Sequence, residues 1–193
     1  MTAYSVIMLS ILILFYAAYL LKMLLLRRRG IEGRLLGKGK KPFRPQSVER
    51  ILSVLTFLGG LIQFLSVLFR DTFWSVPENA PMQSAGLVVA LVGFGFFIIA
   101  MATMRDNWRA GFDERQQTDL VTNGIYRFSR NPAFVGFDML YIGCALVSPT
   151  YWNIFVCVCG IVLFHLQILG EEQFMKSRFG DAYLAYQHRV PRY

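Results

Sequence analysis

Charged side chains are scarce in this chain: Asp, Glu, Lys and Arg make up only 17% of its 193 residues, against 55% hydrophobic residues. A soluble domain of this length carries about 25% charged and about 45–50% apolar residues, so an ordinary water-soluble fold is excluded. Cysteine is scarce too. Cys144, Cys157 and Cys159 make an odd count and all sit in apolar runs, so neither a disulfide framework nor a zinc site follows, and no metal is expected. The long apolar runs contain no proline, since all seven prolines fall between or beyond them, as expected of helices. No internal repeat or low-complexity tract is present, and the composition excludes a disordered chain or a collagen.

Acidic residues are few enough, 12 against 20 basic ones, to leave a net charge of +8. The excess is concentrated. The segment 27–47 holds Arg27, Arg28, Arg29, Arg34, Lys38, Lys40, Lys41 and Arg44, opposed only by Glu32. Such a run suits either nucleic acid or a cytoplasmic loop obeying the positive-inside bias. The apolar runs on both sides favour the second, with affinity for anionic lipid headgroups and no nucleic-acid partner.

Four runs approach or exceed the roughly 20 apolar residues that cross a hydrocarbon core: about Tyr4–Leu26, Ile51–Phe69, Ala85–Thr103 and Tyr151–Leu169. A fifth, about Ala133–Val147, reaches only about 22 Å at ~1.5 Å per residue and needs help from its flanks. The only charge in the first run is Lys22, near its end, where a long side chain can snorkel. No Lys or Arg precedes that run, so it lacks the basic start of a signal peptide and is expected to be a retained span. The expected fold is an all-α integral membrane bundle of about five transmembrane helices with a cytoplasmic C-terminal helical tail. Alternation puts the N-terminus outside and the C-terminus in the cytoplasm, with more Lys and Arg in every internal segment than in any external one. Two regions are expected: 1–103, the N-terminal spans with the basic loop, and 104–193, where polar and aromatic residues crowd and any chemistry should sit.

Within that second region, Leu120–Pro132 reads L-V-T-N-G-I-Y-R-F-S-R-N-P. Asn123-Gly124 signals a turn. Asn131-Pro132 sets a capping residue before a proline suited to the first helical position. The helix start it marks offers amide groups to an anionic ligand, with Arg127 and Arg130 beside it to hold that anion or a lipid phosphate. Glu171 and Glu172 follow the last apolar run. Adjacent helical residues point about 100° apart, so the pair can address two partners. These are either solvent or the hydroxyls and positive charge of a ligand such as a ribose bearing a sulfonium or ammonium group.

Gly180 can end one helix and Asp181 cap the next, while Phe174, Phe179, Tyr183 and Tyr186 form an aromatic face suited to an interfacial helix. Asp138 and His165 are ionisable groups within apolar sequence, where a mutual hydrogen bond and a functional role compete. Gly93-Phe94-Gly95 suits close approach of a helix or of a ligand.

The combination of N-W-R around Trp108, L-V-T-N-G-I-Y-R-F-S-R-N-P-A-F, the paired glutamates and F-G-D-A-Y-L-A-Y resembles the isoprenylcysteine carboxyl methyltransferase family. More distantly it is similar to the phosphatidylethanolamine N-methyltransferases. The resemblance covers roughly Met104 to Arg192. It implies a membrane enzyme that uses S-adenosylmethionine, held at the cytoplasmic side by the last two spans and the tail. The family's R-H-P-x-Y falls on Arg130, Asn131, Pro132, Ala133 and Phe134, its Gly-x-Tyr on Gly124 and Tyr126, and its closing motif on Phe179, Gly180, Tyr183 and Tyr186. The Gly-x-Gly of the phosphatidylethanolamine enzymes matches Gly93 and Gly95.

Cofactor binding is thereby expected of Gly124, Tyr126, Asn131, Pro132, Phe134, Glu171, Glu172 and Tyr183. Catalytic positions are expected at Arg127, Arg130 and Asn131, and substrate contacts at His165, Tyr186 and Arg189, with Arg192 a further candidate. Asn replaces the family's His and Phe replaces its Tyr. Asn hydrogen-bonds but cannot shuttle a proton, which favours an acceptor that is already anionic: the carboxylate of a lipophilic, isoprenylcysteine-like substrate drawn from the bilayer. Three alternatives compete. One is a sterol-reductase-like enzyme holding NADPH on Arg127, Arg130, Arg189 and Arg192. Another is a phospholipid N-methyltransferase, and the third is a small lipid-binding scaffold without activity.

Overall fold

The computed structural model describes residues 1–38, 43–69, 75–112 and 118–193. Lys40, Lys41, Arg70 and Arg115 lie outside the described residues, as does the Arg44 side chain. Six helices run in the order α1 (Ala3–Arg28), α2 (Phe43–Leu68), α3 (Ala80–Met104), α4 (Pro132–Val147), α5 (Tyr151–Phe179) and α6 (Asp181–Arg189), with short 3-10 turns at Arg105–Asn107 and Gly124–Arg127. Helices α1, α2, α3 and α5 are long and apolar enough to cross a membrane, and α4 is a shorter apolar helix. The chain is an all-α, multi-pass membrane bundle.

Helix boundaries follow local chemistry. Thr2 Oγ1 accepts from Ser5 N, Asn79 Oδ1 from Met82 N and Thr150 Oγ1 from Asn153 N, capping α1, α3 and α5. At the far end of α1, Gly30 adopts φ +74°, and Ile31 N donates to Leu26 O at 2.9 Å, closing the last turn as a left-handed glycine allows. The helices outrun the apolar stretches. Pro45 and Pro81 fall inside the first turns of α2 and α3, where no amide partner is lost. Helix α5 continues ten residues past Leu169, so at ~1.5 Å per residue its 29 residues span about 43 Å. That exceeds a hydrocarbon core of about 30 Å, so the helix carries Glu171 and Glu172 on turns that extend its apolar stretch.

Two features knit the bundle. The first is a chain of aromatic rings: Phe15 stacks on Phe97 at 4.2 Å, and Phe137 meets both rings edge-on at 5.0 Å and Phe164 at 5.2 Å. It joins α1, α3, α4 and α5. The second is a glycine seam between α3 and α4. Gly86 faces Gly143 and Gly93 faces Gly136, so closely that a Cβ on any of them would lie 2.6–2.8 Å from the facing carbonyl oxygen. Lipid tails give apolar side chains no reason to leave the bilayer, so close backbone approach is what such an interface has to offer. Gly93 is therefore a packing residue. Gly95 has nothing within 4 Å of its would-be Cβ.

At one end of the bundle the connections interlock. Residues 33–35 pair with Ala110, Leu35 N donating to Ala110 O and Ala110 N to Gly33 O, each at 2.8 Å. At the opposite end Val76 N donates to Pro149 O at 2.7 Å, and Ser148 Oγ to Ser66 O at 2.7 Å.

Candidate functional site

The interlocked end encloses a cavity of about 560 Å³. One wall is apolar and aromatic, drawn from α1, α2, α4 and α5: Tyr16, Tyr19, Phe57, Phe64, Phe134, Phe137 and Phe164. The other is polar and comes from the segments around residues 34, 107–109 and 126–131 together with α5 and α6, including Arg34, Trp108, Arg109, Tyr126, Asn131, Glu171, Tyr183 and Tyr186. The cavity thus takes its lining from both sides of the division expected near residue 103. Helices α1 and α2, which read as plain lipid-soluble spans, supply much of its apolar side. Tyr16 reaches across to α2, its hydroxyl donating to Gln63 Oε1 at 2.9 Å. Nothing in an apolar run distinguishes a ring that faces a cavity from one that faces lipid.

Adjacent on α5, Glu171 and Glu172 do address different partners. Glu172 is only 5% exposed and sits between two guanidiniums. Its Oε1 accepts from Arg130 Nη2 at 2.6 Å, Arg130 Nε at 3.2 Å and Arg192 Nε at 3.1 Å, and its Oε2 from Arg192 Nη2 at 2.8 Å. Arg130 Nη1 donates to the carbonyls of Val190 at 2.6 Å and Gln187 at 3.1 Å, and Arg130 N to Pro191 O at 3.0 Å. The result is a clamp. Residues 190–192 are strapped over the start of α4, with Ser129 Oγ and Asn131 Nδ2 both donating to Arg192 O at 3.2 Å. Both glutamates line the cavity, and Glu171 Oε1 accepts from Gln167 Nε2 at 3.0 Å.

Three local expectations need correcting. Asn131 precedes α4 but its side chain makes no capping bond, because the strap brings Arg192 O within its reach. The two amides just ahead of that helix are used within the protein, Arg130 N by Pro191 O and Asn131 N by Ser129 Oγ, each at 3.0 Å. Asp181 opens α6 without capping it, since the cap position belongs to Gly180 at φ +52°. Asp138 and His165 do not pair: His165 Nδ1 is 2.5 Å from Tyr193 OH, and buried Asp138 Oδ1 has no hydrogen-bond partner among the described residues.

Of the residues singled out from sequence, Tyr126, Arg130, Asn131, Phe134, Glu171, Glu172, Tyr183 and Tyr186 converge on the cavity lining. Gly124, Pro132, His165, Arg127 and Arg189 are absent from it. Arg127 and Arg189 are exposed, and Gly124 serves its turn at φ +57° against the Thr103 side chain. Tyr186 donates to Tyr126 O at 2.6 Å, pinning α6 to the turn before α4. Burial pushes the Tyr183 and Tyr186 hydroxyls up to about 12. Burial, and then the charge of Glu171, raise Tyr126. All three are neutral hydrogen-bond donors at physiological pH. Trp108, 5% exposed and also lining the cavity, has no hydrogen-bond partner for Nε1 among the described residues. At this end Glu49 and Gln167 were not singled out from sequence, and Arg34, Trp108 and Arg109, noted only in the basic loop and the N-W-R motif, were assigned no role in the site. The only signal was a charged or amide group at the edge of an apolar run, which is equally the signature of an interfacial residue.

Residues 82–182, slightly more than half of the chain, match the family described as phospholipid methyltransferase. Among curated proteins, the chain is 29% identical over 178 residues to the protein-S-isoprenylcysteine O-methyltransferase of Schizosaccharomyces pombe, covering 90% of this chain and 65% of that protein. It is 27% identical over 146 residues to the rat protein of the same name, covering 69% of this chain and 49% of that protein. A third, protein-S-isoprenylcysteine O-methyltransferase A of Arabidopsis thaliana, is 27% identical over 150 residues, 75% of this chain and 70% of that protein. The chain spans about two thirds of the length of the first of these relatives and about half of the second. The matched stretch runs from the glycine seam through the turn before α4 to the two glutamates and the first residues of α6. The likeness to isoprenylcysteine methyltransferases read from the motifs therefore holds, and the chain belongs to the phospholipid methyltransferase family.

Proposed function

We propose that this chain is a membrane methyltransferase that uses S-adenosylmethionine to esterify a carboxylate on a lipophilic, isoprenylcysteine-like acceptor. The observation that carries this reading is the two-sided cavity. Its volume lies in the range of small-molecule sites, and its lining combines carboxylates and tyrosine hydroxyls from α5 and α6 with aromatic rings from α1, α2, α4 and α5. The donor set fits the cofactor. Glu171 offers a carboxylate to hydroxyls or to a positive charge, neutral Tyr126 and Tyr183 offer hydroxyls, and Trp108 Nε1 is a donor in need of an acceptor. When bound, S-adenosylmethionine supplies a methyl group already activated by its sulfonium.

The chain's own residues then have three tasks. Glu171 orients the cofactor through charge-assisted hydrogen bonds. The acceptor carboxylate, anionic at neutral pH, needs a cation to hold it and no base. Arg127 and Arg189 are absent from the cavity lining, and Arg130 and Arg192 are engaged with Glu172; Arg34, which donates to Ser53 Oγ at 2.6 Å, and Arg109, whose Nη1 donates to the carbonyls of Asp106 and Trp108, both line the cavity and are the guanidiniums assigned to the carboxylate. Arg130 and Arg192 act as positioning residues, strapping α6 and its tyrosines onto the site. The aromatic wall receives the apolar tail and excludes water. The NADPH alternative is weakened by the same geometry, because its four arginines do not form one basic pocket.

The basic end of the bundle, where Arg27, Arg28 and Arg29 are exposed, faces the cytoplasm in this reading and meets anionic headgroups. Detergent-purified protein is expected to bind S-adenosylhomocysteine and not NADPH, and Glu171→Gln to weaken that binding about tenfold, the loss of one charge-assisted contact of about 1.4 kcal/mol. The reverse ligand preference would end the methyltransferase reading, and binding unaffected by Glu171→Gln would return the cavity to a scaffold role. With labelled cofactor and a total lipid extract, the product is expected to release methanol in alkali. An alkali-stable product would instead indicate N-methylation of a phospholipid.

A further inference from the structure

Helix α2 carries a carboxylate where none is needed for membrane insertion. Glu49 is 0% exposed, two turns into the helix, and it lies outside the residues 82–182 matched by the family. Taking a carboxylate out of water costs several kcal/mol unless its partners compensate, and the partners here are specific. Glu49 Oε2 accepts from Gly37 N, in the connection between α1 and α2, at 2.8 Å. Oε1 accepts from Gln167 Nε2 at 3.3 Å. The backbone at Gly111, φ +87°, comes so close that a Cβ there would sit 3.1 Å from the same oxygen, so the carboxylate is held on that side as well.

Gln167 is the link. Its Nε2 also donates to Glu171 Oε1, at 3.0 Å, one turn further along α5. An amide between two carboxylates has one productive orientation, with its two N–H groups donating one to each. The other orientation would set its carbonyl against a carboxylate. Glu49 thereby dictates how Gln167 points, and Gln167 in turn keeps the Glu171 carboxylate turned to the cavity. Glu49 is absent from the cavity lining, so it acts only through its neighbours.

We propose that Glu49 is a positioning residue for the cofactor: through Gln167 it orients Glu171 on the wall assigned to the sulfonium nucleotide. This rests on the assignment of Glu171 to cofactor binding made above. In Glu49→Gln the new amide presents N–H groups to Gln167, whose side chain flips to accept them and turns its carbonyl toward Glu171. The orienting bond is lost while the packing volume is kept.

The test is a double-mutant cycle on S-adenosylhomocysteine affinity, measured by titration calorimetry on the full chain in detergent. Glu49→Gln is expected to raise Kd about tenfold in the wild-type background and less than twofold in Glu171→Gln, with Glu49→Asp recovering part of the loss. A merely structural glutamate gives the same factor in both backgrounds, and that result, or an unchanged Kd, overturns the proposal. Should Glu49→Gln fail to fold, Gln167→Met decides the matter, with the same non-additivity expected and additivity overturning it. Wild-type protein that does not bind the probe, or Glu171→Gln that binds it normally, overturns this proposal together with the cofactor reading. Weakened Glu171→Gln with an additive or silent Glu49→Gln overturns this proposal alone.

Discussion

Replacing Gly143 with leucine is expected to prevent α3 and α4 from packing. A Cβ at this position would lie 2.6 Å from Gly86 O, 2.7 Å from Ala90 Cβ and 2.8 Å from Ala90 N. Backbone atoms on α3 cannot rotate away as a side chain can, so the helices must separate. Separation also pulls apart the rings of Phe97 and Phe137 and opens the seam at Gly93 and Gly136. The cost should exceed about 3 kcal/mol, the upper part of the usual range for forcing atoms into a packed core. For a chain of this size that corresponds to a fall of roughly 10 °C in Tm, and scanning fluorimetry in detergent measures it. Gly95→Ala is the control. With nothing within 4 Å of the added Cβ and a gain in helix propensity, its Tm should be unchanged or slightly raised. Equal losses in the two variants would dismiss the seam as the source of the effect.

Removing the Glu172 carboxylate should be nearly as damaging, for an electrostatic reason. The side chains of Glu172 and Arg130 are 6% and 7% exposed, so Glu172→Leu leaves the Arg130 guanidinium buried without its anion. Breaking such a pair from one side costs about 3–5 kcal/mol. Arg192 is a third exposed, and water can take over part of its solvation, so Arg192→Leu should cost distinctly less. The two variants differ in kind as well. Loss of Glu172 frees the strap at both guanidiniums, so tryptic cleavage after Arg189 should accelerate, and with α6 loosened the cavity loses the hold of Tyr183 and Tyr186. Cleavage rates equal to wild type in Glu172→Leu would show that the strap is held by its backbone contacts alone.

The membrane bundle and its helices were legible because length and apolarity are local properties, written into consecutive residues. Five apolar runs became five helices, each within a few residues of its expected start apart from α2 and α3. Those two begin earlier because a proline in the first turn does not stop a helix. The polar cluster of Tyr126, Asn131, Glu171, Tyr183 and Tyr186 was legible for a different reason: motifs shared with a known family preserve an arrangement that no periodicity encodes.

Less legible was the division of labour inside that cluster. Arg130 looks in sequence like a free cation beside a helix start, yet it is saturated by Glu172 and by carbonyls 57 and 60 residues further along. Glu171 and Glu172 are neighbours with the same chemistry, separated only by the direction each takes from the helix axis. Glu49 and Gln167 are 118 residues apart, and neither has a local signal. Tyr16, Phe57 and Phe64 read as lipid-facing rings until α1 and α2 close against the rest.

Apolar length and the distribution of basic residues thus specify, without coordinates, that the chain crosses a membrane several times and which of its ends gathers the polar groups. Hydrophobic transfer acts on each segment separately, and a segment carries its own transfer free energy. Which arginine is bound within the protein, which glutamate is clamped between guanidiniums, and which rings line the cavity are settled only once the helices pack. Those outcomes depend on pairs of residues far apart in the chain, meeting at a few ångströms with donors and acceptors matched one to one.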